Sequence, residues 1–359
     1  MQADLASSSA LSLDLRTLRT GYQSGTLTPV AVVDAIYARL AAAPQKGVFI
    51  HQVPYEAAAA AAHELMQRAQ RGEPMRLYGL PFAVKDNIDV AGLPTTAACP
   101  AYARRAQASA TVVQRLLAEG ALLIGKANLD QFATGLVGVR SPYGVVHNPF
   151  DERYISGGSS SGSAVAVARG LCSFALGTDT AGSGRVPAAF NNLVGLKPTR
   201  GMLSAHGVVP ACRSLDCVSV FALTVDDASE VAHALAGFDA ADPYTRPAAR
   251  SWDPRPGAVP PRFRFAVPLA SQLVIDDAGD RALFASAVHE AVRLGGSAHE
   301  LDMTPFHATA ALLYDGPWVA ERLEAAGELL AAEPSALLPV IEQILSAATQ
   351  RSARETFDA

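Results

Sequence analysis

Cysteine is scarce in this chain of 359 residues: Cys99, Cys172, Cys212 and Cys217 are its four thiols, and none forms a C-x-x-C pair. That spacing offers no disulfide framework and no thiolate metal ribbon; it predicts free, mostly buried thiols in a reducing compartment. Excess charge of one sign is also lacking. Lys and Arg number 29 against 34 Asp and Glu, a net charge of -5, and no basic face is evident. This counts against nucleic acid or an anionic membrane as a partner. The apolar run Ala57–Ala62 is far too short to span a bilayer. Met1–Leu15 has neither a basic n-region nor a continuous apolar core, so a cytoplasmic location is expected.

The histidines lack the patterns that would give them chemistry. His63-Glu64, His289-Glu290 and His299-Glu300 each fail H-E-x-x-H, and His147 and His206 have no suitable partner pattern. Neither a zinc-protease helix nor a Ser-His-Asp triad is indicated. Phosphate cradles are missing too: there is no Gly-Lys-Ser/Thr, and Pro187 occupies the last glycine position of a would-be G-x-G-x-x-G.

What is present is a globular composition, half hydrophobic and 18% charged, with apolar periods that alternate between helix and strand. Helices are expected over about Leu11–Tyr22, from Thr28 (N-cap) and Pro29 to Ala42, over Glu56–Arg71, over Val112–Glu119, and from Asn128 as an N-cap. Further helices are expected at Ser161–Arg169, near Gly184, from Thr224 to Ala236, and over Asp276–Leu294. Leu80–Asp86, Gly120–Lys126, Ser173–Leu176, Val218–Leu223, Phe265–Val267 and Ala298–Leu301 read as strands. Thr304–Ala326 reads as helix interrupted at Gly316-Pro317, and Ser352–Asp358 as helical. Asp239–Arg264, rich in Pro, Asp and Arg, reads as a surface excursion and the one candidate hinge. The alternation predicts an α/β fold, a β-sheet core covered by helices on both faces. Length alone suggests two domains.

Two small-residue clusters carry the chemistry. Gly157-Gly158-Ser159-Ser160-Ser161-Gly162-Ser163 precedes a helix of small residues; 24 positions after Ser159 comes Ser183, in Gly177-Thr178-Asp179-Thr180-Ala181-Gly182-Ser183-Gly184-Arg185. Serine hydroxyls can attack a carbonyl or relay a proton, and glycines let backbone N–H groups crowd against a ligand. Successive N–H groups of Thr180, Ala181, Gly182 and Ser183 could bind an anionic oxygen. Two glycines before Ser159 make an unusual peptide geometry sterically accessible there. Lys85 ends an apolar strand; if buried, desolvation lowers its pKa and makes the amine a base, whereas a snorkelling lysine would do nothing. Plain turns and a flexible linker are the bland alternatives for the two loops, and the apolar flanks count against the linker.

Lys85-Asp86-Asn87, the Gly/Ser cluster and the Ser183 cluster, in this order and spacing, resemble the amidase signature family. The likeness spans at least Leu80–Gly201. It implies Ser183 as nucleophile, Ser159 as a bridging serine entered through a cis peptide, and Lys85 as base. It also implies a single domain over 1–359 built on a mixed sheet: N-terminal helices over 1–72, a catalytic core over 73–238, the excursion over 239–264 and a substrate-side region over 265–359. Asp179 and Arg185 are expected to brace the turn as an ion pair. Ser161 and Ala181 stand where many members have glycine.

Leu313-Tyr314-Asp315-Gly316-Pro317-Trp318-Val319-Ala320-Glu321-Arg322 and Gln131–Gly135 further resemble the allophanate hydrolases, family members that cleave urea-1-carboxylate. Tyr314, Trp318 and Arg322 are four apart and would share a helix face if the helix continued through Pro317. The resemblance implies that Arg322 and Tyr314 bind a substrate carboxylate, with Gly135 lining the same pocket. Without it, Arg322 reads as a solvated surface arginine. No metal or organic cofactor is implied, the partner is a small carboxylated amide, and a homodimer is left open. Such members usually continue further, so a C-terminally shortened domain is expected. The alternatives are an amidase for another small acid amide (malonamate-like), the amidase component of a transamidation complex, an inactive fragment acting as a binding or assembly module, and a nucleotide-binding protein.

Overall fold

A computed structural model describes residues 11–42, 47–250, 252–253, 257 and 259–359. Residues 1–10, part of the segment read for a leader, and residues 251, 254–256 and 258 of the excursion lie outside the described residues. Among the described residues, ten strands are formed: β1 Phe49–Gln52, β2 Pro81–Lys85, β3 Pro94–Thr95, β4 Arg104–Arg105, β5 Leu122–Ala127, β6 Phe174–Thr178, β7 Val194–Leu196, β8 Val218–Ala222, β9 Phe263–Pro268 and β10 Gly296–Leu301. Two compact units contain them, Met1–Arg255 with Val319–Arg351, and Pro256–Trp318 with Ser352–Ala359.

The first unit is built on a six-stranded mixed sheet, ordered β1-β5-β2-β6-β8-β7. β2 runs parallel to both β5 and β6, while β1, β7 and β8 pair antiparallel with their neighbours. Every residue of β2, β6 and β8 is buried, so both sheet faces are covered, which is why these strands read as continuous apolar runs. Phe82 and Phe174, register partners on the parallel strands, stack with ring centroids 5.6 Å apart. The helix Ser161–Ala168 is buried on all sides over residues 161–167; its small side chains let it lie against the sheet. Because β2 and β6 are parallel, Lys85 and Thr178 finish at the same carboxyl edge, the usual place for a site in such sheets.

Helix ends follow their local chemistry. Asp14 accepts from Thr17 N ahead of Leu15–Ser24, Thr28 from Ala31 N ahead of Pro29–Ala42, and Thr224 from Asp227 N ahead of Val225–Leu235. One expectation fails. No α-helix follows Asn128: its amide instead donates to Gly47 O and Gly144 O and accepts from Leu129 N and Ser141 Oγ, so the side chain closes loops rather than capping a helix. Only a 3-10 turn follows, Gln131–Ala133, with Phe132 and Ala133 at φ 50° and 52°. The helix after Thr304 is interrupted at Gly316-Pro317, as the sequence indicates. It ends at Tyr314, and a 3-10 turn over Pro317–Arg322 leads to the helix Leu323–Ala332. Proline's missing N–H and its clash with the preceding turn account for the break, and the four-residue spacing of Tyr314, Trp318 and Arg322 therefore does not put them on one helix face.

The second unit pairs β9 with β10 in parallel, joined by the helix Ala278–Arg293, and adds the helices Thr304–Tyr314 and Ala353–Asp358. A capping box between Ser352 and Glu355 starts the last of these. Among the described residues, no helix is long and apolar enough to cross a membrane.

One ion pair of the first unit is wholly enclosed. Lys126 Nζ lies 2.9 Å from Asp86 Oδ1 with both side chains at 0% exposure. Lys126 also donates to Pro94 O and Thr95 Oγ1, and Asp86 Oδ2 accepts from Thr96 N and Thr96 Oγ1. Removing one member of such a pair strands a buried charge, at a cost of about 3–5 kcal/mol. Asp86→Ala should lower the urea midpoint accordingly, and Asp86→Leu combined with Lys126→Met should recover much of the loss. A midpoint for Asp86→Ala indistinguishable from the parent's would contradict this account.

Candidate active site

Lys85 is carried into the interior by the buried strand β2 and is 0% exposed. Its Nζ lies 2.7 Å from Ser159 Oγ and 2.7 Å from Thr178 Oγ1. Asn87, two residues on, reaches the same threonine hydroxyl at 3.5 Å and donates to Val209 O at 3.0 Å. Burial pushes the Lys85 amine down to about 7. The Asp130, Asp216 and Asp179 carboxylates pull it up, and the Arg322 guanidinium pushes it further down. The snorkelling alternative is thereby overturned: the amine is fully enclosed, and that burial favours its neutral form.

Ser159 is entered through a cis Gly158–Ser159 peptide. Its loop is fastened on both sides. Asp130 N donates to Ser159 O, and Ser160 N to Ser183 O at 3.3 Å, which sets the two serine clusters side by side. Ser160 Oγ also bridges Thr178 O and Thr178 N, lacing the loop to β6. A Cβ at Gly158 would stand 2.1 Å from Asp130 Oδ2, so no larger residue fits there.

Ser183, 5% exposed, lies in the turn between β6 and the helix Arg185–Phe190. Asp179 braces that turn: its carboxylate takes two hydrogen bonds from the Arg185 guanidinium, at 2.8 and 2.9 Å, and one each from Gly182 N and Arg185 N. Burial pushes the Asp179 carboxyl up, but these hydrogen bonds outweigh it and hold it below the usual carboxylate range. Thr180 Oγ1 donates to Asp216 Oδ1 at 2.5 Å, and Asp216 also accepts from Ala211 N and Cys212 N. Burial raises the Asp216 carboxyl above its ordinary range against those hydrogen bonds.

The expectation of four inward N–H groups needs correction at Gly182, whose N–H is committed to Asp179 Oδ1 at 2.7 Å. Thr180 N and Ser183 N have no partner among the described residues. Neither does Ser183 Oγ, and no hydrogen bond joins it to Ser159 Oγ.

Arg322 is 8% exposed and its Nη1 donates to Thr134 Oγ1 at 2.9 Å, which overturns the reading of a solvated surface arginine. The neighbouring acids are engaged elsewhere, Glu321 with the loop Cys212–Ser214 and Glu324 with Arg213. Gly135, at φ 149°, lies in a loop wrapped round Asp130, whose carboxylate accepts from Val137 N, Gly138 N and Arg140 N. A Cβ at Gly135 would stand 2.8 Å from Asp130 Oδ2, so close approach to that carboxylate explains the glycine. Tyr314 ends its helix in the second unit, 48% exposed.

Sequence reasoning missed Thr178, Asp130 and Asp216. Thr178 and Asp130 each stand at or just beyond the carboxyl edge of a buried parallel strand, the one signal that could have marked them. Among the described residues, no group of three or more His, Cys, Asp or Glu side chains is placed to share a metal ion. A shielded amine against the hydroxyls of Ser159 and Thr178, with a second serine one loop away, is equipped to take and return a proton during acyl transfer.

The amidase family profile matches residues 31–358. The chain belongs to the amidase family. An amidase of this family is a hydrolase acting on amide C–N bonds, and its relatives are informative. The urea amidolyases of Lachancea kluyveri and Saccharomyces cerevisiae are 47% and 46% identical over 301 and 302 residues, 82% of this chain but 16% of each relative. A glutamyl-tRNA(Gln) amidotransferase component of Chloroflexus aggregans is 42% identical over 238 residues, 66% of this chain and 49% of that protein. Among solved structures, Kluyveromyces lactis allophanate hydrolase superposes with a TM-score of 0.86 at 40% identity, covering 97% of this chain and 56% of that one. This amidase thus spans about a sixth of the urea amidolyases' length.

Of the carboxylates near Lys85, Asp130 pulls its proton affinity up most. Asp130→Asn should therefore move the acid limb of kcat/KM to lower pH, because the neutral amine would persist further into acid. A limb that stays put or moves upward would contradict that electrostatic assignment.

Proposed function

We propose that this amidase hydrolyses a small carboxylated amide, allophanate, through Lys85, Ser159 and Ser183. The carrying observation is the enclosed Lys85 amine, 2.7 Å from Ser159 Oγ, beside the braced turn that presents Ser183. Neutral Lys85 takes the proton of Ser159 as Ser159 takes that of Ser183, and Ser183 Oγ attacks the carbamoyl carbon. The N–H groups of the Thr180, Ala181 and Ser183 positions meet the oxyanion, Gly182 N being committed to Asp179. The C–N bond breaks, the relay returns the proton to departing ammonia, and water then releases the acyl group. The product, a doubly carboxylated amine, loses carbon dioxide and yields further ammonia.

Substrate choice rests on Arg322. A buried guanidinium can grip a carboxylate through two parallel hydrogen bonds, and the likeness to allophanate hydrolase favours that use. Tyr314 and Gly135 enter the same reading as further contacts to the carboxylated end.

Ammonia release from allophanate tests this directly. Ser183→Ala and Lys85→Ala should each lower kcat by about a thousandfold or more, and a Ser183→Ala variant with parental turnover would end the proposal. The pH profile of kcat/KM should rise through about 7 and level off above it, since the deprotonated amine is the active form. A flat profile between pH 6 and 9 would exclude Lys85 as the base. Arg322→Ala should raise KM for allophanate by roughly tenfold to a hundredfold, the worth of a charge-assisted hydrogen bond.

A further inference from the structure

Arg322 does not reach Thr134 unaided. It is the last residue of the 3-10 turn Pro317–Arg322, and the residue before it, Glu321, binds that turn to the loop Cys212–Ser214. Glu321 Oε2 accepts from Ser214 N at 2.8 Å and from Cys212 Sγ at 3.3 Å, and Oε1 accepts from Ser214 Oγ. One turn further on, Glu324 pairs with Arg213 at 2.5 Å. Burial, then the Glu321 charge, pushes the Cys212 thiol up, so it stays protonated and remains a donor.

The loop that Glu321 grips is also the loop that Asp216 grips. Asp216 accepts from Ala211 N and Cys212 N, and from Thr180 Oγ1 in the nucleophile turn. The segment Ala211–Asp216 is therefore held through Asp216 to the turn that presents Ser183 and through Cys212 and Ser214 to the turn that presents Arg322. Glu324 sits on the surface and its pair with Arg213 is half exposed, so it contributes little. Glu321 is partly buried, with three donors on one carboxylate, which is the geometry that fixes a side chain.

We infer that Glu321 is a positioning residue for substrate selection: by clasping Cys212 and Ser214 it holds Arg322 at the distance from Ser183 that a short carboxylated amide requires. This rests on the reading of Arg322 as the carboxylate-binding group. A short substrate cannot adjust to a displaced guanidinium, so loosening the clasp weakens binding more than it slows chemistry.

The test is steady-state ammonia release from allophanate with Glu321→Ala, Glu321→Gln, Arg322→Ala and the Glu321→Ala/Arg322→Ala pair. Glu321→Ala should raise KM by about tenfold with kcat lowered far less, and Glu321→Gln, which keeps one acceptor oxygen and the side-chain length, should fall between it and the parent. The double variant should have a KM close to that of Arg322→Ala alone, since a clasp has nothing to position once the guanidinium is gone. Cooperative unfolding of Glu321→Gln at the parental midpoint separates positioning from misfolding. If Arg322→Ala raises KM while both Glu321 variants leave it alone, or if Glu321→Ala lowers kcat and not KM, the inference fails and the carboxylate reading stands. If Arg322→Ala leaves KM unchanged, both fall together.

Discussion

Enclosure of one amine is the constraint on which the rest of this molecule depends. An ammonium taken out of water must be paired, neutralised or offset elsewhere. Lys126 takes the first route, against Asp86. Lys85 takes the second: its near neighbours are hydroxyls at 2.7 Å, and the carboxylates that pull its proton affinity up do so less than burial pulls it down. A full salt bridge there would hold the proton permanently and leave nothing to relay. Two lysines on adjacent strands are thus put to opposite uses by what faces them.

Some backbone groups around Ser183 brace its turn and others stay clear of that bracing. Asp179 takes Gly182 N and Arg185 N to fix the turn, and Thr180 is held by its side chain to Asp216, which leaves its main-chain N–H available. Asp130 organises the opposite wall in the same manner, gathering three N–H groups on its carboxylate while its own N–H holds Ser159 O. Carboxylates shape both loops, and their combined field raises the basicity of Lys85 against the larger effect of burial.

Much of this could be read beforehand. The buried strand ending on Lys85, the strand read over Ser173–Leu176 that runs on to Thr178, and the short helix after Ser161 follow from local pattern, because apolar runs and small-residue helices are properties of neighbouring residues, whereas the ion pair of Asp179 with Arg185 was expected alongside the family resemblance. The burial of Arg322 was not readable in that way: its partner Thr134 is 188 positions distant and directly follows a 3-10 turn with two left-handed residues that no period announces. Asn128 misled for a related reason. Its capping chemistry is genuine, but loops at Gly47 and Gly144, neither adjacent in sequence, claimed it. The break at Pro317 was foreseeable, and its effect on the alignment of Tyr314 with Arg322 follows from it.

The strand β2 ends on Lys85, and Asp86 comes next. Successive side chains of an extended chain leave on opposite sides, so one goes to Ser159 and the other to Lys126. A slip of this strand by a single position against β5 and β6 would exchange them, delivering an acid where an amine is required. Hydrogen bonding along the sheet therefore decides more than stability: the register that sets Phe82 beside Phe174 on one side and Leu123 on the other also turns an amine, not an acid, toward Ser159.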